Sequence, residues 1–365
     1  MSSAFDAKAH DSARHRLAQA KIKVLIVDDS VLMRGLLREI FSKQPDMEVV
    51  GAAPDAYTAL NQIATLQPDV VTLDVEMPGM SGLTLLEKVM RERPLPVVMI
   101  SSLTAKGAET TLRALELGAV DFATKPKVDV AKGTVEMADE LGQKVRNAAR
   151  ARPRRAHESS STMRAVSSPT MPAVSLGLRG RRSLIAIGAS TGGTEALVSV
   201  LSRLPADGPG VVIVQHLPAL FTKPLADRLN DQSPLNVREA RHGDLITPGV
   251  ALLAPGDKHL EVVRQGTRFS VALSSAPAVN RHRPSVDVLF DSCARVVGAG
   301  AVGVLLTGMG SDGAKGLLAL RQRGARTIAQ NEATCVVFGM PKEAIALGAA
   351  EIVAPLDAIA EAILH

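Results

Sequence analysis

A serine set among small residues opens the second half of the chain. In SLIAIGASTGGTEAL, Gly188, Ala189, Ser190, Thr191 and Gly192 fit a G-x-S-x-G elbow, a tight strand-to-helix turn that exposes the serine hydroxyl at a sheet edge. His216 follows 26 residues later, at the end of the apolar run GVVIVQH. One strand, one helix and one strand separate the two, which puts His216 at the same edge on a neighbouring strand. Asp312 stands in the glycine-rich loop that follows AVGVLLTG. A hydroxyl, an imidazole and a carboxylate supply a nucleophile, its general base and a group that fixes the imidazole tautomer. The chemistry they suit is acyl transfer, with backbone N–H groups near Thr191 and Met309 stabilising the oxyanion. It needs no metal or cofactor in this half of the chain. Other readings of the same residues exist. Gly188, Gly192 and Gly193 could form a dinucleotide loop, although that fingerprint has glycine where Ser190 stands and an acid where the next strand ends in Gln215 and His216. His242, His259 and His282 are further imidazoles, none at the end of a long apolar strand, and Asp312 could simply cap the helix from Ala314.

The first half carries a second constellation. Asp28 and Asp29 end the strand KVLIV, Asp74 ends DVVTL, Ser101 ends PVVMI, and Lys125 follows the strand GAVDF. Three converging carboxylates repel one another unless a cation joins them. Mg²⁺ suits oxygen ligands and keeps several waters, so Asp29 and Asp74 are its candidate ligands, with Asp28 in support. A hydroxyl from Ser101 and an ammonium from Lys125 at the same edge complete a site for a dianionic phosphoryl group on Asp74. The alternative is that Asp28 and Asp29 cap the helix starting at Val31.

Both constellations need the carboxyl ends of parallel strands, and the sequence supplies them. Residues 21–127 alternate continuous apolar runs with amphipathic stretches, among them a helix with Leu32, Leu36, Ile40 and Met33, Leu37, Phe41 on its buried face. Strands apolar on consecutive residues mark a parallel sheet covered on both faces. The alternation returns from Ser183 to the end. The expected fold is therefore α/β, with two doubly wound parallel-sheet domains at 21–127 and 183–365, a tail at 1–20, and a flexible connector at 128–182. Val135 to Arg150 could continue as a helix within that connector. The order Ser, His, Asp differs from the Ser, Asp, His order of α/β hydrolases, so the second domain is expected to be another doubly wound sheet.

At 365 residues the chain has room for two domains, and 46% hydrophobic against 22% charged residues gives both a core. The longest stretch without a charge, Val296 to Ser311, falls short of the roughly 18 residues of a bilayer span. The N-terminus lacks the apolar middle of a secretory signal, and two cysteines make no disulfide framework, so a cytoplasmic location without membrane insertion is expected. The net charge is +5, yet Lys144 to Arg182 holds ten Lys and Arg against one acid. The basic character thus belongs to a tether, and with no Trp and one Tyr a nucleic-acid surface is not expected.

The motifs resemble two known families in tandem. LIVDDS, TLDVEMPGMSG, MISS and TKP resemble the response-regulator receiver domain. IGASTGG, VQHLP, RHRPSVDVLF, LTGMGSDGAKG and NEATCVVFGMPKEA resemble the chemotaxis protein-glutamate methylesterase and glutaminase family. The resemblance implies a flavodoxin-like receiver and a Rossmann-like serine esterase. It implies that Asp74 takes a phosphoryl group from a histidine kinase with Mg²⁺, while Ser101 and Lys125 reorient around it. Ser190, His216 and Asp312 become the triad, acting on glutamate γ-methyl esters, or certain glutamine amides, on chemoreceptor signalling helices. The runner-up keeps the receiver and makes the second half a binding module, such as a nucleotide sensor or a DNA-associated regulator.

Overall fold

The computed structural model describes residues 21–102, 104–125, 133–151 and 183–365. The tail at 1–20 and most of the connector lie outside them. The chain divides into two compact units, with the boundary between residues 155 and 156.

In the first unit, strands β1 (Ile22–Val27), β2 (Met47–Ala53), β3 (Val70–Asp74), β4 (Val97–Ser101) and β5 (Asp121–Thr124) form a parallel sheet in the order β2-β1-β3-β4-β5. Every residue of β3 and β4 is buried, as a sheet covered on both faces requires. The helices are α1 (Val31–Ser42), α2 (Ala56–Leu66), α3 (Gly82–Glu92), α4 (Ala105–Glu116) and α5 (Gly133–Arg150). Ser30, Asp55, Ser81 and Thr104 each accept a backbone N–H from the first turn of α1 to α4, which fixes where the helices begin. Three details differ from expectation. Leu32 is 62% exposed, because the buried stripe of α1 runs through Met33, Leu37, Ile40 and Phe41. The last strand is DFAT, with Gly118 in the left-handed region ending the turn before it. Residues 133–150, expected within the connector, are a helix whose Leu141, Val145 and Ala148 are buried against the sheet, so the first unit extends past 127.

The second unit holds seven parallel strands in the order β14-β13-β12-β6-β7-β9-β8. They are β6 (Leu184–Ala189), β7 (Gly210–Gln215), β8 (Asn236–Glu239), β9 (Val250–Leu253), β12 (Ala301–Leu305), β13 (Arg326–Gln330) and β14 (Ile352–Ala354). An antiparallel hairpin, β10 (His259–Gln265) with β11 (Arg268–Ser274), stands apart from this sheet and was not anticipated. Helices α6 (Gly193–Leu201), α7 (Ala219–Asp231), α8 (Val286–Val296), α9 (Ala314–Gln322), α10 (Met340–Ala346) and α11 (Ile359–Leu364) complete the unit. The hairpin, α8 and α9 share one core with the sheet through Leu260, Val262, Val271, Phe290 and Leu317.

In both sheets the chain leaves its first strand in two directions. The reversal lies between β1 and β3 in one unit and between β6 and β12 in the other. Ligands bind at the carboxyl ends beside such reversals. The carboxyl ends of these four strands lead to Asp28, Asp74, Ser190 and the loop carrying Asp312. Among the described residues no helix is long and apolar enough to cross a membrane.

Candidate active site and phosphoacceptor site

Ser190 follows β6 directly, its N–H bonded to Thr307 O at 3.0 Å. The next residues turn tightly into α6: Gly193 N–H donates to Ser190 O at 2.7 Å, and Gly192 sits at φ 77°. A side chain at 192 would meet Val336, and one at 193 would collide with the Gln215 amide, so glycine is needed at both places. His216 follows β7 on the adjacent strand, with its N–H on Ala189 O at 3.1 Å. The nucleophile and imidazole candidates therefore leave neighbouring strands at the same level.

The His216 ring binds Asp312, Nε2 to Oδ2, at 2.9 Å. Asp312 is only 1% exposed and is surrounded by donors. Oδ2 also accepts Val286 N–H at 2.7 Å, and Oδ1 accepts the Asn280 amide and the Ser285 hydroxyl, each at 2.7 Å. Burial works against ionisation, but His216 and the Asn280 and Ser285 hydrogen bonds outweigh it and hold the carboxyl well below the usual range. An ionised Asp312 accepts, so Nε2 carries the hydrogen and a neutral His216 keeps its lone pair on Nδ1. Nδ1 is buried and makes no hydrogen bond, so the bond to Ser190 Oγ is not made in this structure. Such bonds often close only when substrate arrives. Asp312 does not cap α9, whose N-cap is Gly313.

The loop bearing Met309 lies against the serine. A Cβ on Gly308 would stand 2.7 Å from Ser190 Cβ, so glycine permits the approach. Thr307 Oγ1 donates to Thr191 O at 3.0 Å, tying this loop to the serine turn. Thr191 and Met309 are the residues that follow Ser190 and Gly308 in these two adjoining loops.

In the first unit, carboxylate oxygens of Asp28, Asp29 and Asp74 lie within 4.8 Å of one another. Asp28 and Asp74 are buried and Asp29 is exposed. Lys125 Nζ stands 2.7 Å from Asp74 Oδ2 and 3.2 Å from Asp28 Oδ2, the latter an ion pair without hydrogen-bond alignment. Burial pushes Asp74 up to about 6, with Asp28 adding repulsion and Lys125 pulling the other way. Two buried acids sharing one ammonium leave charge to be neutralised, and the oxygen-only donor set fits Mg²⁺. Neither Asp28 nor Asp29 caps α1, because Ser30 does. Ser101 ends β4 at this edge, but its hydroxyl faces Ser102 O at 3.2 Å and Gly107 O at 3.4 Å and is not bonded to Asp74.

Comparison with known proteins matches each half of the chain to a family. Residues 24–132 match the response regulator receiver domain family and residues 185–363 the CheB methylesterase family. A protein-glutamate methylesterase/protein-glutamine glutaminase 2 of Cupriavidus pinatubonensis is 53% identical over 348 residues, covering 95% of this chain and 96% of the relative. The protein-glutamate methylesterase/protein-glutamine glutaminase of Thiobacillus denitrificans is 55% identical, covering 94% and 96%. A Pseudomonas aeruginosa relative of the same description is also 55% identical, with the same coverage. The chain belongs to the protein-glutamate methylesterase/protein-glutamine glutaminase family.

Within this methylesterase, sequence reasoning missed four residues at the site. Gln215 Nε2 donates to Ser190 O at 2.9 Å, linking the ends of β6 and β7. Asn280 and Ser285 hold Asp312, and the His282 ring stacks on His216 with centroids 3.7 Å apart and planes 10° from parallel. The last three fall in NRHRPS, where neither period 2 nor period 3.6 announces a contact.

Proposed function

We propose that this chain is a phosphorylation-regulated serine hydrolase. It removes methyl groups from glutamate γ-methyl esters, and deamidates certain glutamines, on chemoreceptor proteins. The observation that carries the reading is the buried His216–Asp312 pair, set one strand from Ser190 at the reversal of a parallel sheet. Ser190 Oγ attacks the γ-carbonyl while His216 Nδ1 takes its proton. Asp312 steadies the imidazolium, and backbone N–H groups at Thr191 and Met309 receive the oxyanion. The tetrahedral intermediate collapses as His216 returns the proton to the departing methanol or ammonia. Water, deprotonated by His216, then releases glutamate from the acyl-serine.

In the receiver, Asp74 is the phosphoacceptor and a histidine kinase the donor. Asp29 and Asp74, with Asp28 beside them, would hold Mg²⁺, which supplies the positive charge that a phosphoryl group on Asp74 needs. Lys125, already on Asp74, is placed to hold a phosphoryl oxygen. Residues 152–182 are read as a tether joining the two domains, and the location as cytoplasmic.

The test is methanol release from methyl-esterified receptor. Ser190→Ala, His216→Ala and Asp312→Ala each lower the rate by about 10⁴-fold or more, because the three act as a unit. Near-normal turnover by the Ser190 variant overturns the reading.

A further inference from the structure

Ahead of α8 the chain makes a two-residue turn at Asn280 and Arg281. His282 N–H donates to Val279 O at 2.9 Å, and Val279 N–H donates to His282 O at 3.1 Å. Both central residues lie in the left-handed region, at φ 53° and 68°. A two-residue turn with positive φ at both positions suits asparagine and glycine. Asn280 fits it and Arg281 is strained. Strain of this kind persists only where the surroundings hold it, and it gathers at functional sites.

The turn reaches the catalytic pair through two of its residues. Asn280 Nδ2 bridges Asp312 Oδ1 at 2.7 Å and Asp287 Oδ2 at 2.8 Å. The His282 ring lies flat on the His216 ring. One turn therefore touches the acid with its first central residue and the imidazole with the residue that closes it.

We propose that the turn Val279–His282 is a two-point clip on the catalytic pair, with Asn280 and His282 as positioning residues for proton transfer; this rests on the reading of Ser190, His216 and Asp312 as the triad. Asn280 engages Oδ1 of Asp312, which leaves Oδ2 on His216 Nε2. His282 covers one face of the imidazole and resists the ring rotation that would swing Nδ1 from the serine. A neutral ring on that face also accommodates the imidazolium formed on attack, whereas a protonated His282 repels it. The charged groups around the pair are Asp312 on Nε2, Asp287 across Asn280, Asp291 one turn along α8, and Arg281 and Arg283 flanking His282.

The full-length chain tests the proposal through kcat, KM, the rate of fluorophosphonate labelling at Ser190, and thermal melting. His282→Ala lowers kcat and the labelling rate by about 10-fold with KM within about twofold, because misplacing a base costs rate before it costs binding. His282→Phe restores a flat ring and recovers most of that loss. Its fluorophosphonate labelling rate returns in step with kcat, since the face of the His216 ring is covered again. Asn280→Ala lowers kcat by a similar factor. The clip is overturned if His282→Ala keeps the wild-type kcat and labelling rate. It is equally overturned if Ala and Phe at 282 lose activity alike and in step with lost melting temperature. Turnover that survives Ser190→Ala sinks the triad reading itself, whereas loss at Ser190 with no effect at 282 sinks the clip alone.

Discussion

Asp74 and Asp312 are both buried carboxylates at the end of a parallel sheet, and their surroundings drive them in opposite directions. Asp312 has donors on both oxygens and becomes a fixed negative charge. Asp74 has one ammonium, shared with Asp28, and burial lifts it to about 6. A raised carboxyl destabilises the fold once it ionises. The penalty is absent below the unfolded value near 3.8, grows as pH rises to about 6, and is constant above. It amounts to about 3 kcal/mol at most. Asp74→Asn is therefore expected to raise the melting temperature of the first unit by several degrees at pH 7.5 and by little near pH 4. Millimolar Mg²⁺ should narrow the gap by stabilising the wild type. Calorimetry at the two pH values checks this, and a gain independent of pH would refute it. The acids of both sites, Ser190 and His216 were legible because each closes or follows a buried apolar run. Asn280 and His282 were not, since they reach the site through backbone torsions that no hydrophobic period encodes. The bond between Ser101 and the backbone of α4 is invisible for the same reason.

The elements divide along a similar line. Strands buried on both faces read directly as apolar runs, whereas the cap of α1 is Ser30 and neither of the acids before it. Helix α5 reads as a possible helix inside the connector, and not as part of the first unit, because Arg-rich text follows it. The hairpin β10–β11 was hidden by its modest alternation around Gln265 and Gly266. Packing decided both cases. Leu141 in α5 is 1% exposed, so Leu141→Ala is expected to destabilise the first unit by about 2–4 kcal/mol, through lost transfer energy and the cavity left behind. Glu140→Ala, on the exposed face of the same helix, should stay within about 0.5 kcal/mol. Urea unfolding of both variants separates the two cases. If Leu141→Ala behaves like Glu140→Ala, α5 is a passive extension and the boundary near 127 stands.

At the scale of the whole molecule, two sites built on the same principle share one chain. Each lies where a doubly wound sheet reverses, and each has exposed loops that a partner surface can cover. If residues 152–182 act as the proposed tether, the receiver stays near the esterase at an effective concentration of about a millimolar, and a weak intramolecular interface would suffice to close the active site. Phosphorylation of Asp74 need change that equilibrium by only about 1–3 kcal/mol to alter activity between roughly 5-fold and 150-fold. We therefore expect the unphosphorylated chain to hydrolyse receptor esters more slowly than the isolated 183–365 fragment. Acetyl phosphate with Mg²⁺ should bring the full-length rate towards that of the fragment. Asp74→Asn should abolish the response, because an amide cannot accept the phosphoryl group. The fragment itself should be indifferent to the phosphodonor. A fragment no faster than the resting chain removes inhibition from this scheme. A full-length chain that takes up phosphate at Asp74 without any change in rate removes coupling altogether, and the two domains would then act independently on either side of their tether.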